Sequence, residues 1–355
     1  MAPKYQSIAD SLRQEIETGQ YSGKQLLPTE QLLCQRFQIS RQTVRRALSL
    51  LEDEGLITRR QGSGSRLREH REPEAILNCS IAVVTTYISD YIFPSILRGM
   101  ETVLAANSSA PLLFATQNQV SVERKILQTL LTMKELDGVL VEGTKTALPN
   151  PNLDLYQKLM DRGVRLVFIN GIYPELAHIP SVLADNYGGG RLLTEHLHQQ
   201  GHQNIAGIFK IDDMQGTLRY AGYAEALRDL GLPFEDERVR WYNTEQRKDF
   251  LSESFVDTVL EGFQGCSAIV CYNDEVAIRV VSRLQKRGVR VPEEMAVVSF
   301  DNSQYSDLAP VRLTSLSHGS RNLGELAANL MLRLLQGEEC RSETVPWQLV
   351  ERESG

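Results

Sequence analysis

A chain of 355 residues with 42% apolar and 23% charged side chains is too long for one small domain and can bury a sizeable core, so at least two folding units are expected. No run approaches the roughly 18 consecutive apolar residues of a membrane helix, and the opening MAPKYQSIAD lacks a basic-then-apolar leader, so a soluble, cytoplasmic protein with no membrane partner is expected. The net charge of −7 is unevenly placed: residues 1–72 carry 12 Lys and Arg against 9 Asp and Glu, a net +3, and the remainder carries 26 against 36, a net −10, which confines attraction to a polyanion to the head.

Residues 3–19 place Ile8, Leu12 and Ile16 at helical spacing and end at Gly19, which predicts a short amphipathic helix with a glycine stop. After a polar turn, Thr29 is placed to cap a helix over 30–37 and Ser40 a longer one over 41–54. Two helices joined by about three residues form a helix-turn-helix. In the second, Val44, Ala47, Leu48 and Leu51 share a face and should bury, whereas Gln42, Arg45, Arg46 and Ser49 project from the other. That outward set suits a major groove: Arg donates two hydrogen bonds to guanine O6 and N7, and Gln pairs with adenine N6 and N7. Arg41 and Thr43, at the positive end of the helix, suit phosphate. Residues 57–65 read as a strand and a donor-rich glycine turn, a candidate wing.

The strings LPTEQLLCQRF and ISRQTVRRALSLLEDEGLITRRQGSGS resemble the GntR-family DNA-binding domain, over residues 1–70. The resemblance implies double-stranded operator DNA as partner. It further implies Arg41, Gln42, Thr43, Arg45, Arg46, Gln61 and Gly62 as contacts, with Lys4 and Tyr5 as secondary ones; Thr29, at the start of the first of the two helices, is counted with the DNA-binding set.

Residues 71–79 are charged and without sustained period, and read as a linker. From residue 80 the strings IAVVTT, PLLFAT, DGVLVE, RLVFIN, NIAGIF, SAIVCY and MAVVSF alternate with helical stretches. This is the pattern of parallel sheets covered on both faces, and their number predicts two lobes. Ligands of such sheets sit beyond the carboxyl ends of the strands. There the chain places Thr85 to Phe93, Glu142 to Lys145, Asn170, Asp185-Asn186, Asp212-Asp213 with Arg219, Tyr272 to Glu275, and Asp301-Asn302. Carboxylates, amides, one arginine and aromatics, Tyr91 and Phe93 among them, suit a small polyol: planar groups pair with neighbouring hydroxyls and aromatic faces cover C–H surface.

Residues 80–355 resemble the LacI-type regulator domain, itself similar to periplasmic sugar-binding proteins, on the strings GVLVEGTK, HLHQQGHQNIAGI, AIVCYNDEVAI, VVSFDNS and LTSLSH. The expected fold class is therefore α/β: an N-terminal winged helix-turn-helix followed by a two-lobed, periplasmic-binding-protein-like (type I) domain. The resemblance implies Arg219, Asn273, Asp274, Asp301 and His318 as effector contacts. A GntR head on a LacI-like body resembles the arabinose-repressor family, with YIFPSILRGME, VEGTKTAL and IFKIDDMQG as the closest strings. That resemblance implies L-arabinose as effector and adds Lys145, Glu142 and Tyr91 as contacts. A homodimeric repressor that pairs through the body and is released from its operator by the sugar is expected, with a sugar that instead strengthens DNA binding left open. Another pentose, a sugar phosphate or a purine remain open as ligand, and so does an enzyme fused to a DNA-binding head.

No cofactor, metal or catalytic set is expected. Cys34, Cys79, Cys266, Cys271 and Cys340 are odd in number with no C-x-x-C spacing, which argues against disulfides and a zinc knuckle. His196 and His198 lie about 200° apart on a helix and cannot share one ion. Gly188-Gly189-Gly190 lacks the spacing of a dinucleotide loop and no Walker Lys-Ser follows, so helix packing is its expected role.

Overall fold

The computed structural model describes residues 4–17, 27–53, 57–60, 64–67, 79–247 and 253–355, and the chain divides into two compact units, Met1–Ala75 and Ile76–Gly355. The expected ends at Gly19 and of the linker, the wing residues Gln61 and Gly62, and the Lys4 side chain lie outside what is described.

The head contains α1 (Lys4–Glu17), α2 (Glu30–Phe37), α3 (Arg41–Asp53) and an antiparallel hairpin of β1 (Ile57–Arg60) and β2 (Gly64–Leu67). Thr29 caps α2, its hydroxyl accepting from the Leu32 amide at 3.4 Å. The left-handed Gln38 (φ 50°) ends the helix. Ser40 accepts from the Thr43 amide at 3.3 Å and starts α3, so short polar side chains satisfy helix-end donors at both starts. Ile8, Leu12, Leu33, Val44, Ala47, Leu48, Leu51 and Ile57 form one buried cluster. Gln42, Arg45, Arg46 and Ser49 are exposed, as the helical periodicity predicts.

The body is built from two six-stranded sheets. The first lobe orders its strands β13-β7-β6-β5-β3-β4, all parallel: β3 (Ile81–Thr85), β4 (Leu112–Ala115), β5 (Gly138–Val141), β6 (Arg165–Ile169), β7 (Ser181–Ala184) and β13 (Glu343–Val345). Around it lie α4 (Phe93–Ala106), α5 (Val120–Thr132), α6 (Leu153–Asp161) and α12 (Leu323–Leu335). The second lobe orders β14-β12-β11-β10-β8-β9. Its strands are β8 (Ile205–Lys210), β9 (Val239–Tyr242), β10 (Ala268–Cys271), β11 (Ala296–Phe300), β12 (Thr314–Ser317) and β14 (Gln348–Val350), the last antiparallel to β12. Its helices are α7 (Asn186–Gln199), α8 (Met214–Asp229), α9 (Glu253–Glu261), α10 (Asp274–Lys286) and α11 (Gln304–Leu308).

The central strands β3, β5, β10 and β11 are buried throughout, which is why they read as unbroken apolar runs rather than alternating ones. The chain crosses between lobes at residues 185, 318–322 and 346–347. The triple glycine serves helix contact: a Cβ on Gly190 would stand 2.1 Å from the Arg219 carbonyl, and one on Gly222 would stand 2.0 Å from that of Tyr187. Helices α7 and α8 therefore touch backbone to backbone, which fixes α8 and the Arg219 it carries against the first crossing.

Candidate functional site

Strand ends of both lobes face one cleft. A cavity of about 790 Å³, its open mouth included, is lined from the first lobe by Thr86, Tyr87, Tyr91, Phe93, Asn118, Glu142, Thr146 and Asn170. From the second lobe it is lined by Lys210, Asp213, Gln215, Tyr242, Arg247, Tyr272, Asn273, Glu275 and Asp301. Of the nine effector residues expected from the sequence, Tyr91, Phe93, Glu142, Asn273 and Asp301 line this cavity. Arg219 and His318 line a hollow beside the crossings, which shares Tyr91, Asn170, Gln215 and Asp301 with the cavity. Lys145 and Asp274 line neither.

Each polar group is held by a different device. One Glu142 oxygen accepts from the Thr86 amide at 2.7 Å and from the Thr86 and Thr85 hydroxyls at 2.6 and 3.0 Å; the other accepts from the Asn170 amide nitrogen at 3.1 Å. Burial pushes the Glu142 carboxyl up from its ordinary pKa against these bonds. Asn170 is left-handed (φ 64°) and its side-chain oxygen is buried without a partner among the described residues. A buried acceptor left open beside a cavity is suited to a ligand hydroxyl.

Arg219, 1% exposed, donates through Nε to Asn186 Oδ1 at 2.9 Å and through its two terminal nitrogens to the Tyr272 carbonyl and to Asp301 Oδ1, the last at 3.1 Å. Its guanidinium lies 4.2 Å from the Phe300 ring centre and 4.9 Å from that of Tyr272. His318 stacks on Trp347 with ring centres 3.7 Å apart, joining two crossings.

Asp274 has a structural place. It accepts from the Ser315 hydroxyl at 2.7 Å, from the Ser303 amide and hydroxyl at 2.6 and 2.8 Å, and from the Ser299 hydroxyl. Burial, with the charge of Asp301 added, pushes its pKa up to about 6 despite those bonds. The folded state therefore binds the proton more tightly than the unfolded one. This group's contribution to stability is most favourable below pH 4 and is lost as pH rises through 6, a change of roughly 3 kcal/mol. Denaturant titrations between pH 4 and 7 should show Asp274→Asn lacking that component relative to wild type; parallel pH profiles would contradict it.

The lobes are tied across the cleft. Tyr91 reaches from the first lobe to Asp301 Oδ2 at 2.8 Å and accepts from the Asp274 amide at 3.1 Å. The Thr146 hydroxyl accepts from the Met214 amide at 2.9 Å. Lys145 pairs with Glu245 and lies 3.8 Å from Asp212. Arg247, bound to Glu275 at 2.8 Å, lies 3.5 Å from Asp90 and 5.0 Å from the centre of the Tyr87 ring.

Asn118, Thr146, Lys210, Gln215, Tyr242 and Arg247 line the cavity but were missing from the sequence-based set. Lys210 carried a usable signal, a charge ending the apolar string NIAGIF. Arg247 carried none, because its reach depends on the path of the loop after β9.

In the head, Arg41, Gln42, Arg45 and Arg46 lie exposed on α3, with Thr43 half-buried beside them. The Arg45 Nε donates to Glu30 at 3.0 Å, and Arg46 lies 4.6 Å from the centre of the half-buried Tyr5 ring. These contacts hold two long side chains on the outer face of α3. Thr29 stands at the start of α2 as its cap.

A winged helix-turn-helix joined to a two-lobed α/β body with a polar cleft defines a ligand-responsive transcription regulator. Residues 4–67 match the bacterial regulatory proteins of the gntR family, and residues 194–355 match the periplasmic binding protein-like domain. The chain is 34% identical over 343 residues to the arabinose metabolism transcriptional repressor of Halalkalibacterium halodurans, covering 95% of this chain and 91% of that one. It is 36% identical over 337 residues to the repressor of the same description from Geobacillus stearothermophilus, covering 94% and 92%. Among solved structures, the transcription regulator CcpA of Lactococcus lactis aligns with a TM-score of 0.68 at 26% identity, over 78% of this chain and 99% of that one. The chain belongs to the family of bacterial transcriptional repressors that join a gntR-type DNA-binding head to a periplasmic-binding-protein-like body. The relatives so named are repressors, not enzymes.

Proposed function

We propose that this protein is a cytoplasmic repressor that grips operator DNA as a homodimer through α3 and the wing, and releases it when L-arabinose enters the cleft. The observation that carries the sugar reading is the charge and hydrogen-bonding character of the cavity. Its lining holds two cations, Lys210 and Arg247, against four carboxylates, Glu142, Asp213, Glu275 and Asp301. Lys210 is bound to Asp213 at 3.0 Å and Arg247 to Glu275 at 2.8 Å. A phosphate would meet an excess of negative charge, whereas a neutral polyol would meet acceptors for its hydroxyls and the faces of Tyr91, Phe93 and Tyr272. Among neutral sugars, L-arabinose is the reading that relatives named for arabinose metabolism support.

Apolar side chains left exposed on the body support pairing of subunits: Leu112 and Leu113 on the edge strand β4, 43% and 47% exposed, and Leu308 at 76%. Among the described residues no helix is long and apolar enough to cross a membrane. A rearrangement of the lobes on sugar binding would alter the spacing of two heads and lower operator affinity by a coupling energy typically of about 1–3 kcal/mol.

A thermal-shift screen of pentoses, hexoses, their phosphates and purines tests the ligand, since a molecule that binds only the folded state raises its melting temperature. L-arabinose should give the largest shift. A shift with phosphates alone, or with a purine alone, would replace the sugar reading.

A further inference from the structure

Asp301, the carboxylate the family resemblance points to for the effector, has both oxygens engaged by the protein itself. Arg219 holds Oδ1 at 3.1 Å, and the Tyr91 hydroxyl donates to Oδ2 at 2.8 Å. That hydroxyl makes a further bond, accepting from the Asp274 amide at 3.1 Å. Its ring lies parallel to that of Tyr305, 8° between planes and 6.0 Å between centres. Tyr91 belongs to the first lobe and its partners to the second, so one side chain docks in the opposite lobe by hydroxyl and ring together.

Two further observations set this contact apart from ordinary packing. Tyr91 has φ 55° and Asp301 has φ 92°, both left-handed conformations that are unfavourable for residues with a Cβ. Both ends of this hydrogen bond are thus held in unfavourable backbone, a feature that clusters at ligand sites and switch regions. Tyr91 and Asp301 also line both the cavity and the hollow beside the crossings, so a ligand in either space would lie beside the pair.

We propose that the Tyr91 hydroxyl is an internal stand-in for a sugar hydroxyl, competing with the sugar for Asp301 and giving way when the sugar donates to that carboxylate. The inference rests on the sugar reading above and adds which internal bond the sugar displaces. An O–H bond to Asp301 is exchanged for another of the same kind, so the sugar gains only the difference between the two. Tyr91 stands two residues before α4 (Phe93–Ala106), so its release acts directly on the start of that helix.

Titration calorimetry with L-arabinose on the full chain tests this through the sign of one change. Tyr91→Phe keeps the ring and its stacking and removes the hydroxyl. If the hydroxyl competes with the sugar, the variant binds L-arabinose more tightly, by roughly tenfold for a bond to a charged group. Unchanged or weaker binding overturns the proposal, since a hydroxyl that contacts the sugar, or one that stays on Asp301, cannot give a gain. Melting temperature supplies the second reading. The variant should melt below wild type when empty and level with it when saturated; equal lowering in both states overturns the proposal. Wild-type protein that binds no L-arabinose would instead remove the ligand reading on which the proposal rests, a result distinct from a bound sugar with no gain in Tyr91→Phe.

Discussion

Arg219→Ala is expected to cost the body about 3–5 kcal/mol of stability, because it leaves the partner of a buried ion pair without compensation. The guanidinium satisfies three acceptors at once, on Asn186, Tyr272 and Asp301, and fills space between Phe300, Tyr272 and Trp347. Asn186 follows the first crossing between lobes and Trp347 lies on the last. Truncation therefore loosens both the cavity wall and the crossings behind it. Arg219→Lys should lose less, since it retains the charge but not the planar fork that spans three acceptors. Both tryptophans, Trp241 and Trp347, lie in the body, so their fluorescence during urea unfolding reports this unit. A midpoint for Arg219→Ala equal to that of wild type would contradict the role assigned to the arginine.

The second large effect belongs to the head. Leu48 is 1% exposed within a cluster formed by few residues, and Leu48→Ala should cost about 2–5 kcal/mol through lost burial and the cavity left behind. A unit of this size has little stability to spare. Specific operator binding is therefore expected to collapse while the body keeps its ligand-induced thermal shift. Arg45→Ala is the contrast. Its side chain is 63% exposed and rests on Glu30, so stability should hold, while operator affinity should fall by about 1–3 kcal/mol if the guanidinium reads a base. Anisotropy of labelled operator DNA, with circular dichroism to monitor folding, separates the two. Equal loss of fold in both variants would place Arg45 in the core rather than on the recognition surface.

The head was largely legible in the sequence because its information is contiguous. Thr29 and Ser40 cap the helices they precede, and Val44, Ala47, Leu48 and Leu51 bury at the spacing that one helix face requires. The two lobes were legible from unbroken apolar strings, since strands covered on both faces cannot alternate. The cleft was legible only by class of residue. Strand ends indicated many of the side chains that line the cavity, yet Asp274 faces Ser299, Ser303 and Ser315 instead, and Lys145 faces Glu245. Those outcomes depend on how two lobes meet, and neither lobe's local pattern encodes the other's position. Arg247 enters the cavity wall for the same reason, by a loop path with no periodicity to read.

The most direct test of the central claim is a titration of L-arabinose into the full chain bound to its labelled operator, at fixed salt because phosphate contacts make affinity salt-dependent. The sugar is expected to release the DNA with a loss of affinity of about 5- to 150-fold, the range of ordinary allosteric coupling. D-arabinose and arabinose phosphates should leave the complex intact. Operator affinity unchanged at saturating L-arabinose, with the sugar shown to bind, would contradict the account.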